Sequence, residues 1–174
     1  MKSPFPLVPV ILLAFLSVEG WSQGRKQAKI GPGVSIEVPT DWRVLKAPEN
    51  VAFLSESADQ NATVTVVEEK KAEYEVENLK AFHQLTVDFY AREVWPDLAS
   101  EEAREGTING LPAVFSKISP TLDLGEGKKL KTRGYITVYE SPTHYYTVTI
   151  VSSAGTFEAR EQQLLDILRS FKAK

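Results

Sequence analysis

The sequence contains no cysteine among its 174 residues. Disulfide bonds, thiol catalysis, zinc–thiolate sites and a lipid-modified N-terminal cysteine are therefore excluded. A chain of this length buries enough apolar surface to fold as one domain without covalent or metal cross-links. We therefore expect its stability to come from a hydrophobic core. The lack of cysteine does not by itself identify the compartment of the protein.

A basic excess is also missing. The chain has 20 lysine and arginine residues against 23 aspartate and glutamate residues, which gives a net charge of −3. Nucleic-acid-binding domains usually carry clustered positive charge, so this balance argues against a nucleic-acid partner. The content of 43% hydrophobic and 25% charged residues is typical of a soluble globular protein.

Histidine is scarce, since only His83 and His144 occur. His83 has no histidine or carboxylate three or four residues away, the spacing that places metal ligands on one helix face. We expect His83 on the helix surface or at its border. We expect His144 to be an ordinary strand-end residue, and the alternative is a base or a pH-sensitive group.

Catalytic motifs are equally sparse. The Gly-x-Ser-x-Gly elbow and the Gly-x4-Gly-Lys-Ser/Thr phosphate loop are both absent. The carboxylates lie in polar runs, which are typical of solvated surfaces rather than of paired catalytic acids. The sequence therefore predicts no catalytic residue, no metal site and no cofactor.

The N-terminus has the pattern of a secretory signal peptide. Lys2 precedes the apolar run PFPLVPVILLAFLSV, and the small residues Gly20 and Ser22 follow. The run is shorter than the roughly 20 residues of a membrane span. We predict a signal peptide over residues 1–22, with an uncleaved anchor as the alternative, and export to the periplasm or the medium. Residues 23–29 are expected to be a flexible lead-in, and residues 30–174 a single domain.

The densest structural signal is the stretch TRGYITVYESPTHYYTVTIVSS, residues 132–153. β-branched and aromatic residues favour strands, and the Ser-Pro break favours a turn. The stretch predicts a hairpin with strands Arg133–Glu140 and His144–Ser152. Neither face of these strands is strongly polar, which predicts a central hairpin that is covered on both sides.

The rest of the chain surrounds this hairpin with further strands and two helices. Asn109-Gly110 favours a two-residue type I′ turn before a strand from Ala113 to Ile118. The other predicted elements are strands at Val34–Val38, Val51–Ser55 and Ala62–Glu69 and helices at Glu77–Ala99 and Thr156–Phe171. The order β-β-β-α-β-β-β-β-α predicts an α+β fold, with a mainly antiparallel sheet of about 6–7 strands flanked by helices.

Four stretches in this order carry a family resemblance. They are Ser35-Ile36-Glu37-Val38-Pro39 with Trp42 after it, Asn109-Gly110-Leu111-Pro112-Ala113, the tyrosine-rich hairpin from Tyr135 to Val151, and Ile167-Leu168-Arg169-Ser170-Phe171. The combination resembles the PsbP-like superfamily, in particular its bacterial exported DcrB-type branch. The resemblance covers about residues 30–172.

The resemblance implies an α/β/α sandwich, a central antiparallel sheet with helices on both faces. It also implies binding or assembly roles rather than catalysis. Plant members of the superfamily are accessory to photosystem II, and a eukaryotic branch binds a small GTPase. No family-wide catalytic motif can be carried over to this chain, because the matching residues are structural.

Two features are candidates for partner binding. One is Trp95, which precedes Pro96 and an acidic segment and is expected to be partly exposed. The other is the basic cluster of Lys128, Lys129, Lys131 and Arg133 before the hairpin. An acidic protein partner or an anionic lipid surface would suit this cluster. The alternatives are core packing for Trp95 and a plain solvated loop for the basic cluster.

Three hypotheses for function follow. The preferred one is a non-enzymatic, exported accessory or binding protein that acts through a protein partner in the cell envelope. The alternative is a carrier or sensor of a small apolar or lipidic ligand, which predicts a pocket between the sheet and a helix. The third is a hydrolase, which predicts that His144 meets a serine and a carboxylate in one cleft.

Overall fold

The computed structural model of the protein describes residues 24–174. The predicted signal peptide lies outside the described residues. Within them the chain forms two α-helices, α1 (Leu79–Phe89) and α2 (Ala154–Ser170). It also forms eleven strands: β1 (Arg25–Gly31), β2 (Val34–Pro39), β3 (Arg43–Val44), β4 (Phe53–Glu56), β5 (Ala62–Lys70), β6 (Ala99–Ser100), β7 (Arg104–Ile108), β8 (Leu111–Ser119), β9 (Thr121–Asp123), β10 (Lys129–Glu140) and β11 (His144–Ser153).

The main sheet is antiparallel and has nine strands. Its principal order is β3-β4-β5-β11-β10-β8-β6, with β7 paired to β8 and β9 paired to β10. The predicted central hairpin is β10–β11, with Tyr139 opposite Tyr146 and Thr137 opposite Val148. The α+β fold class is confirmed. The sheet has more strands than expected because β3, β6 and β9 are only two or three residues long and leave no alternating pattern.

Helices cover both faces of the sheet. Tyr135, Tyr139 and Tyr146 pack in one core with Phe157 and Leu164 of α2. The intervening residues of the same strands pack towards α1 on the other face, as Val138 and Tyr145 do around Phe82. Successive strand residues point to opposite sides, so one hairpin supplies both cores. The α/β/α sandwich implied by the family resemblance is confirmed, as is the two-sided cover of the hairpin.

Most of the predicted flexible lead-in, residues 23–29, belongs to a strand, and its first residue lies outside the described residues. Strand β1 begins at Arg25 and pairs with β2 in a separate two-stranded sheet. Its alternate residues Ala28 and Ile30 pack against the core beside α2. The polar residues between them face solvent, and the composition of this edge strand therefore resembles that of a linker.

The helices begin and end differently from the prediction. Helix α1 begins after Asn78, whose side-chain oxygen accepts a hydrogen bond from the Ala81 amide at 2.9 Å. It ends in a π-helical turn, Tyr90–Val94, well before Ala99. Helix α2 begins after Ser153 rather than at Thr156. No helix in residues 24–174 is both long and apolar enough to cross a membrane.

Candidate binding cleft

Trp95 is buried rather than partly exposed. Its side chain is only 7% exposed and packs in the core under α1, where its ring stacks on Tyr90 at a centroid distance of 5.0 Å. The Trp95 amide donates to the Tyr90 carbonyl at 2.7 Å across the π-helical turn. This turn carries the indole inward, so the expected partial exposure was wrong.

The basic cluster lies on and beside the hairpin that joins β9 to β10. Lys128, Lys129 and Lys131 are exposed there. Arg133 differs because it forms an ion pair with Glu158 of α2 and lies over the Phe157 ring, 4.9 Å from its centroid. Three lysines therefore remain as an exposed group, whereas Arg133 helps to hold α2 on the sheet. Their role in partner binding stays a prediction.

Neither histidine forms the arrangement that the hydrolase hypothesis requires. The His144 imidazole is 2.8 Å from the Thr143 hydroxyl and 3.8 Å from the Glu68 carboxylate. Ser141 bonds the backbone of His144 instead of its ring. Among the residues described, no three histidine, aspartate or glutamate side chains are grouped closely enough to hold a metal ion.

His83 is buried under α1 rather than at the helix surface, because this face of α1 packs on the sheet. Its Nε2 atom is 3.3 Å from the Ser116 hydroxyl. Burial lowers the pKa of His83, with the Ile136 backbone acting weakly in the opposite direction. His83 is therefore a neutral core residue.

A recess lies between α2 and the β7–β8–β10 side of the sheet. This α2 cleft has a volume of about 450 Å³ and is open to solvent on one side. Its apolar lining comes from Ile108, Phe115, Tyr135, Leu165 and Leu168. The size is in the range of ordinary ligand pockets. The pocket between sheet and helix that the ligand-carrier hypothesis predicted is therefore present.

Charged groups at the rim of the α2 cleft are held in fixed positions. The Glu161 carboxylate accepts hydrogen bonds from Lys117 Nζ at 2.8 Å and from the Tyr135 hydroxyl at 2.6 Å. These two bonds lower the pKa of Glu161. Burial, together with the bond to Glu161, raises the pKa of Tyr135. Both groups therefore keep their ordinary charge states near neutral pH, and the rim is ionic.

The α2 cleft is open to solvent along strand β7. Strand β7 forms this border, and its residues are largely exposed. Gly106 pairs with Ala113, so a side chain at this position would point towards α2. A Cβ atom built on Gly106 meets nothing within 4 Å. The missing side chain therefore leaves space at the mouth of the cleft.

A second recess flanks the opposite side of β7. It has a volume of about 400 Å³ and is lined by Lys80 of α1, Glu105 of β7 and Val114 of β8. Lys80 and Glu105 lie 4.0 Å apart across its mouth, and both side chains are more than half exposed. Its lining is more polar than that of the α2 cleft, which remains the better candidate for an apolar group.

Sequence reasoning found parts of this site but not the site itself. Tyr135 enters the sequence analysis only as the first residue of the tyrosine-rich hairpin. Phe115, Lys117, Glu161 and Leu165 were not singled out. The sequence offered only one indication of a site here. The two-sided hairpin implied that a helix packs on the sheet, and the ligand-carrier hypothesis predicted a pocket between them. The cleft joins residues from three separate parts of the chain, and only the fold brings them together.

Solved structures resemble this one over nearly its whole length. The solution structure of the cyanobacterial PsbP protein CyanoP from Synechocystis sp. PCC 6803 matches with a TM-score of 0.65 and 11% identity, over 93% of this chain and 99% of that one. The chain has the PsbP-like fold. The Ran-binding protein Mog1p of Saccharomyces cerevisiae matches with a TM-score of 0.59 and 13% identity, over 85% of this chain and 94% of that one.

A Bacteroides thetaiotaomicron protein is also similar, with a TM-score of 0.54 and 16% identity, over 84% of this chain and 47% of that one. No family model and no curated protein matches the sequence. These structural matches establish the PsbP-like fold. At such low sequence identity they carry no activity to this chain. The DcrB-type branch stays a prediction.

Proposed function

We propose that this protein is a non-enzymatic, exported accessory protein of the cell envelope that acts by binding a protein partner. The α2 cleft receives a part of that partner. The observation that carries the proposal is this open recess of about 450 Å³, with an apolar floor and an ionic rim. An apolar centre within a polar rim is the usual composition of a protein interface.

Two further observations support binding rather than catalysis. Mog1p, which shares the fold, is a Ran-binding protein by its own description. In the described part of this chain, Glu69, whose pKa is raised to about 7, lies in the core, whereas the shifted groups of the cleft, Tyr135 and Glu161, hydrogen-bond each other and keep their ordinary charge states near neutral pH.

The exposed lysines of the β9–β10 hairpin supply a second contact in this proposal. Lys128, Lys129 and Lys131 would face an acidic surface of the partner, and this contact would be sensitive to salt. Arg133 is predicted to contribute least, because Glu158 already neutralises it. The alternative is that the same lysines bind an anionic lipid surface instead of the protein partner.

The proposal is tested by cross-linking the full chain, expressed with a C-terminal tag in its native host, and identifying the products by mass spectrometry. Gly106→Trp fills the mouth of the cleft without a backbone clash, so we expect capture of a dominant partner to fall at least tenfold. Gly31→Trp is the matched control, because Gly31 is a strand glycine outside the cleft with open space around it. It should leave capture unchanged.

The other outcomes are equally informative. Loss of capture only on charge reversal of Lys128, Lys129 and Lys131 would move the interface to the β9–β10 hairpin. No dominant partner with either the wild type or the control would reject the protein-partner function. N-terminal sequencing of the purified protein tests the export proposal, since a mature chain that begins near residue 21 or 23 is expected.

A second candidate function is a carrier of a small apolar or lipidic ligand. The same apolar floor, with Phe115 and Leu165 on opposite walls, favours it. The carrier function predicts that a small molecule co-purifies with the wild type and is lost in Gly106→Trp, with no protein cross-linked. Mass spectrometry of the denatured, extracted protein separates this outcome from partner capture.

A further inference from the structure

Strand β7 lies at the margin of the main sheet. Its inner edge pairs with β8, and no strand within residues 24–174 pairs with its outer edge. Four of its five residues are exposed. The strand therefore presents backbone hydrogen-bonding groups to solvent.

The register of the β7–β8 hairpin decides which groups these are. Residues that flank a two-residue turn exchange backbone hydrogen bonds, so Ile108 and Leu111 form a bonded pair. Bonded and non-bonded pairs alternate along the ladder. Gly106 therefore bonds β8, whereas the amides and carbonyls of Glu105 and Thr107 point away from it. No other backbone group of the described residues bonds these four groups.

The outer edge of β7 lacks the usual features that keep edge strands from pairing with other chains. Lysine, proline and β-bulges commonly serve that purpose. Strand β1, a free edge of the two-stranded sheet, contains Lys26 and Lys29, and its register shifts before Gly31. Strand β7 has none of these features, and its two charged residues, Arg104 and Glu105, have opposite signs. Another strand can therefore pair with β7.

A recess lies beside β7 on each face of the sheet. The α2 cleft is on one face, and the second recess, with Lys80 and Glu105 at its mouth, is on the other. Successive side chains of a strand point to opposite faces, so a strand added to β7 directs alternate side chains into the two recesses. The apolar floor of the α2 cleft suits an apolar side chain, and the charged mouth of the second recess suits polar ones.

Gly106 leaves room for the side chain that enters the α2 cleft. Because Gly106 bonds β8, it forms a non-hydrogen-bonded pair with an added strand, and opposing side chains come closest in such pairs. A Cβ atom on Gly106 would occupy open space there. The turn after β7 is fixed, since the Asn109 side-chain amide donates to the Arg169 and Phe171 carbonyls at 2.6 and 2.9 Å. The edge therefore needs little ordering before a strand binds.

We infer that the outer edge of β7 binds an extended segment of the protein partner as an additional strand, with an apolar side chain in the α2 cleft over Gly106 and polar neighbours on the α1 side. This inference rests on the proposed function and deepens it, because it assigns the conformation and the side-chain pattern of the bound segment. A second copy paired along the whole of β7 would place Gly106 opposite Gly106 and leave both clefts empty.

The test pans a phage library of random decapeptides on the full chain, and the enriched peptides are then synthesised. We expect these peptides to carry an apolar residue between polar ones. In NMR measurements, a bound peptide should slow the amide hydrogen exchange of Glu105 and Thr107 by about tenfold. The amides of Gly106 and Ile108 already bond β8 and should change much less, which gives an internal control within one strand.

A proline substitution tests the outward amide directly. Thr107→Pro removes this amide and keeps the hydrogen bonds to β8, so we expect peptide affinity to fall about tenfold while circular dichroism shows the fold unchanged. Gln27→Pro is the matched control on β1. Gln27 pairs with Glu37, whose amide bonds the Ser170 hydroxyl instead, so the Gln27 amide also points outward. It should leave peptide affinity unchanged.

Methylation of the peptide backbone tests the same bonds without any change to the protein. Methyl groups on the peptide nitrogens that face β7 should abolish binding, and methyl groups on the alternate nitrogens should leave it intact. This measurement decides the question even if Thr107→Pro does not fold. Equal effects of the two methylation patterns would overturn the inference.

Three further results would also overturn it: no enriched peptide, full affinity in a folded Thr107→Pro variant, or slow exchange that depends on protein concentration without peptide, which indicates a second copy. These failures are separate from failure of the proposed function. If Gly106→Trp abolishes partner capture and Thr107→Pro does not, the interface holds and only strand addition is rejected. If peptides add to β7 but no partner is captured, strand binding holds and the envelope partner is rejected.

Discussion

On one face of the central sheet the aromatic residues under α1 pack tightly on the hairpin β10–β11, whereas on the other face α2 borders a cleft of about 450 Å³. Under α1, Phe82 is fully buried and stacks on Tyr145 with a centroid distance of 3.9 Å. Under α2, Phe157 and Leu164 pack as fully, but Leu165 lies half-buried beside the recess. The difference is therefore confined to one margin of α2.

Titratable groups are divided between the two faces in an instructive way. Glu69 and His83 are enclosed on the α1 face, and burial shifts the pKa of each towards its neutral form. Glu161 lies at the open margin of the α2 face, where hydrogen bonds from Lys117 and Tyr135 keep it ionised. On the α1 face burial shifts these pKa values, whereas at the candidate binding site Glu161 and Tyr135 hydrogen-bond each other and keep their ordinary charge states near neutral pH.

The largest expected effect contrasts truncations on the two faces. Phe82→Ala removes a fully buried ring, so we expect a loss of about 3–5 kcal/mol in the free energy of unfolding. Leu165→Ala removes a side chain that already borders open space, so we expect a loss of about 1 kcal/mol. Urea denaturation of both variants measures the difference. Equal losses would show that the cleft closes in solution.

The second prediction concerns the carboxyl group enclosed by the α1 face. Burial raises the pKa of Glu69 from about 4.5 to about 7, although the Tyr74 hydroxyl donates to it at 2.5 Å. The folded state therefore holds a proton that the unfolded state releases near pH 4.5. Stability is greatest below this value and is lost as the pH rises through 7, by roughly 3 kcal/mol.

Glu69→Gln is the matched variant for this prediction, because the amide stays neutral at every pH. Unfolding free energies at pH 5 and pH 8 should differ between wild type and variant only at the higher pH, where the variant is more stable. Subtracting the unfolding free energy of the variant from that of the wild type at each pH removes the contribution of the other carboxylates. A constant difference across this range would mean that Glu69 is ionised in the folded protein.

The smallest expected effect is the pH dependence of stability that His83 causes, and its direction is opposite to that for Glu69. Its folded pKa is lowered, so the unfolded state takes up a proton first and stability is lost as the pH falls below 6.5. Relative to His83→Gln, the wild type should lose stability between pH 6.5 and pH 5.5, by at most about 1 kcal/mol, because a single proton limits the slope. If the relative stability does not change over this range, His83 is accessible to protonation in the folded state.

Local patterns predicted much of the fold. The alternation along residues 133–152 placed both faces of the hairpin correctly, because side-chain direction in a strand follows from position alone. Asn109 and Gly110 both have positive φ angles, 51° and 82°, as the expected type I′ turn requires. Trp42, one of the residues of the family resemblance that were taken as structural, is 2% exposed.

Predictions that depended on exposure were less successful. Trp95 follows an irregular π-helical turn whose course no local pattern reveals, and it is buried. His83 was expected at the helix surface or its border, although its face of α1 packs on the sheet. Strand β1 looked like a linker because only one of its faces is apolar.

The sequence by itself determined the class of the fold, the central hairpin and the two-sided cover, because each depends on neighbours within one strand or turn. Tertiary structure alone decided where the chain can bind. Gly106, Phe115, Thr137 and Leu165 meet at one recess from positions up to 59 residues apart. Neither the space over Gly106 nor the recesses on both sides of β7 can be seen until the helices are packed on the sheet, because helix residues form one wall of each recess.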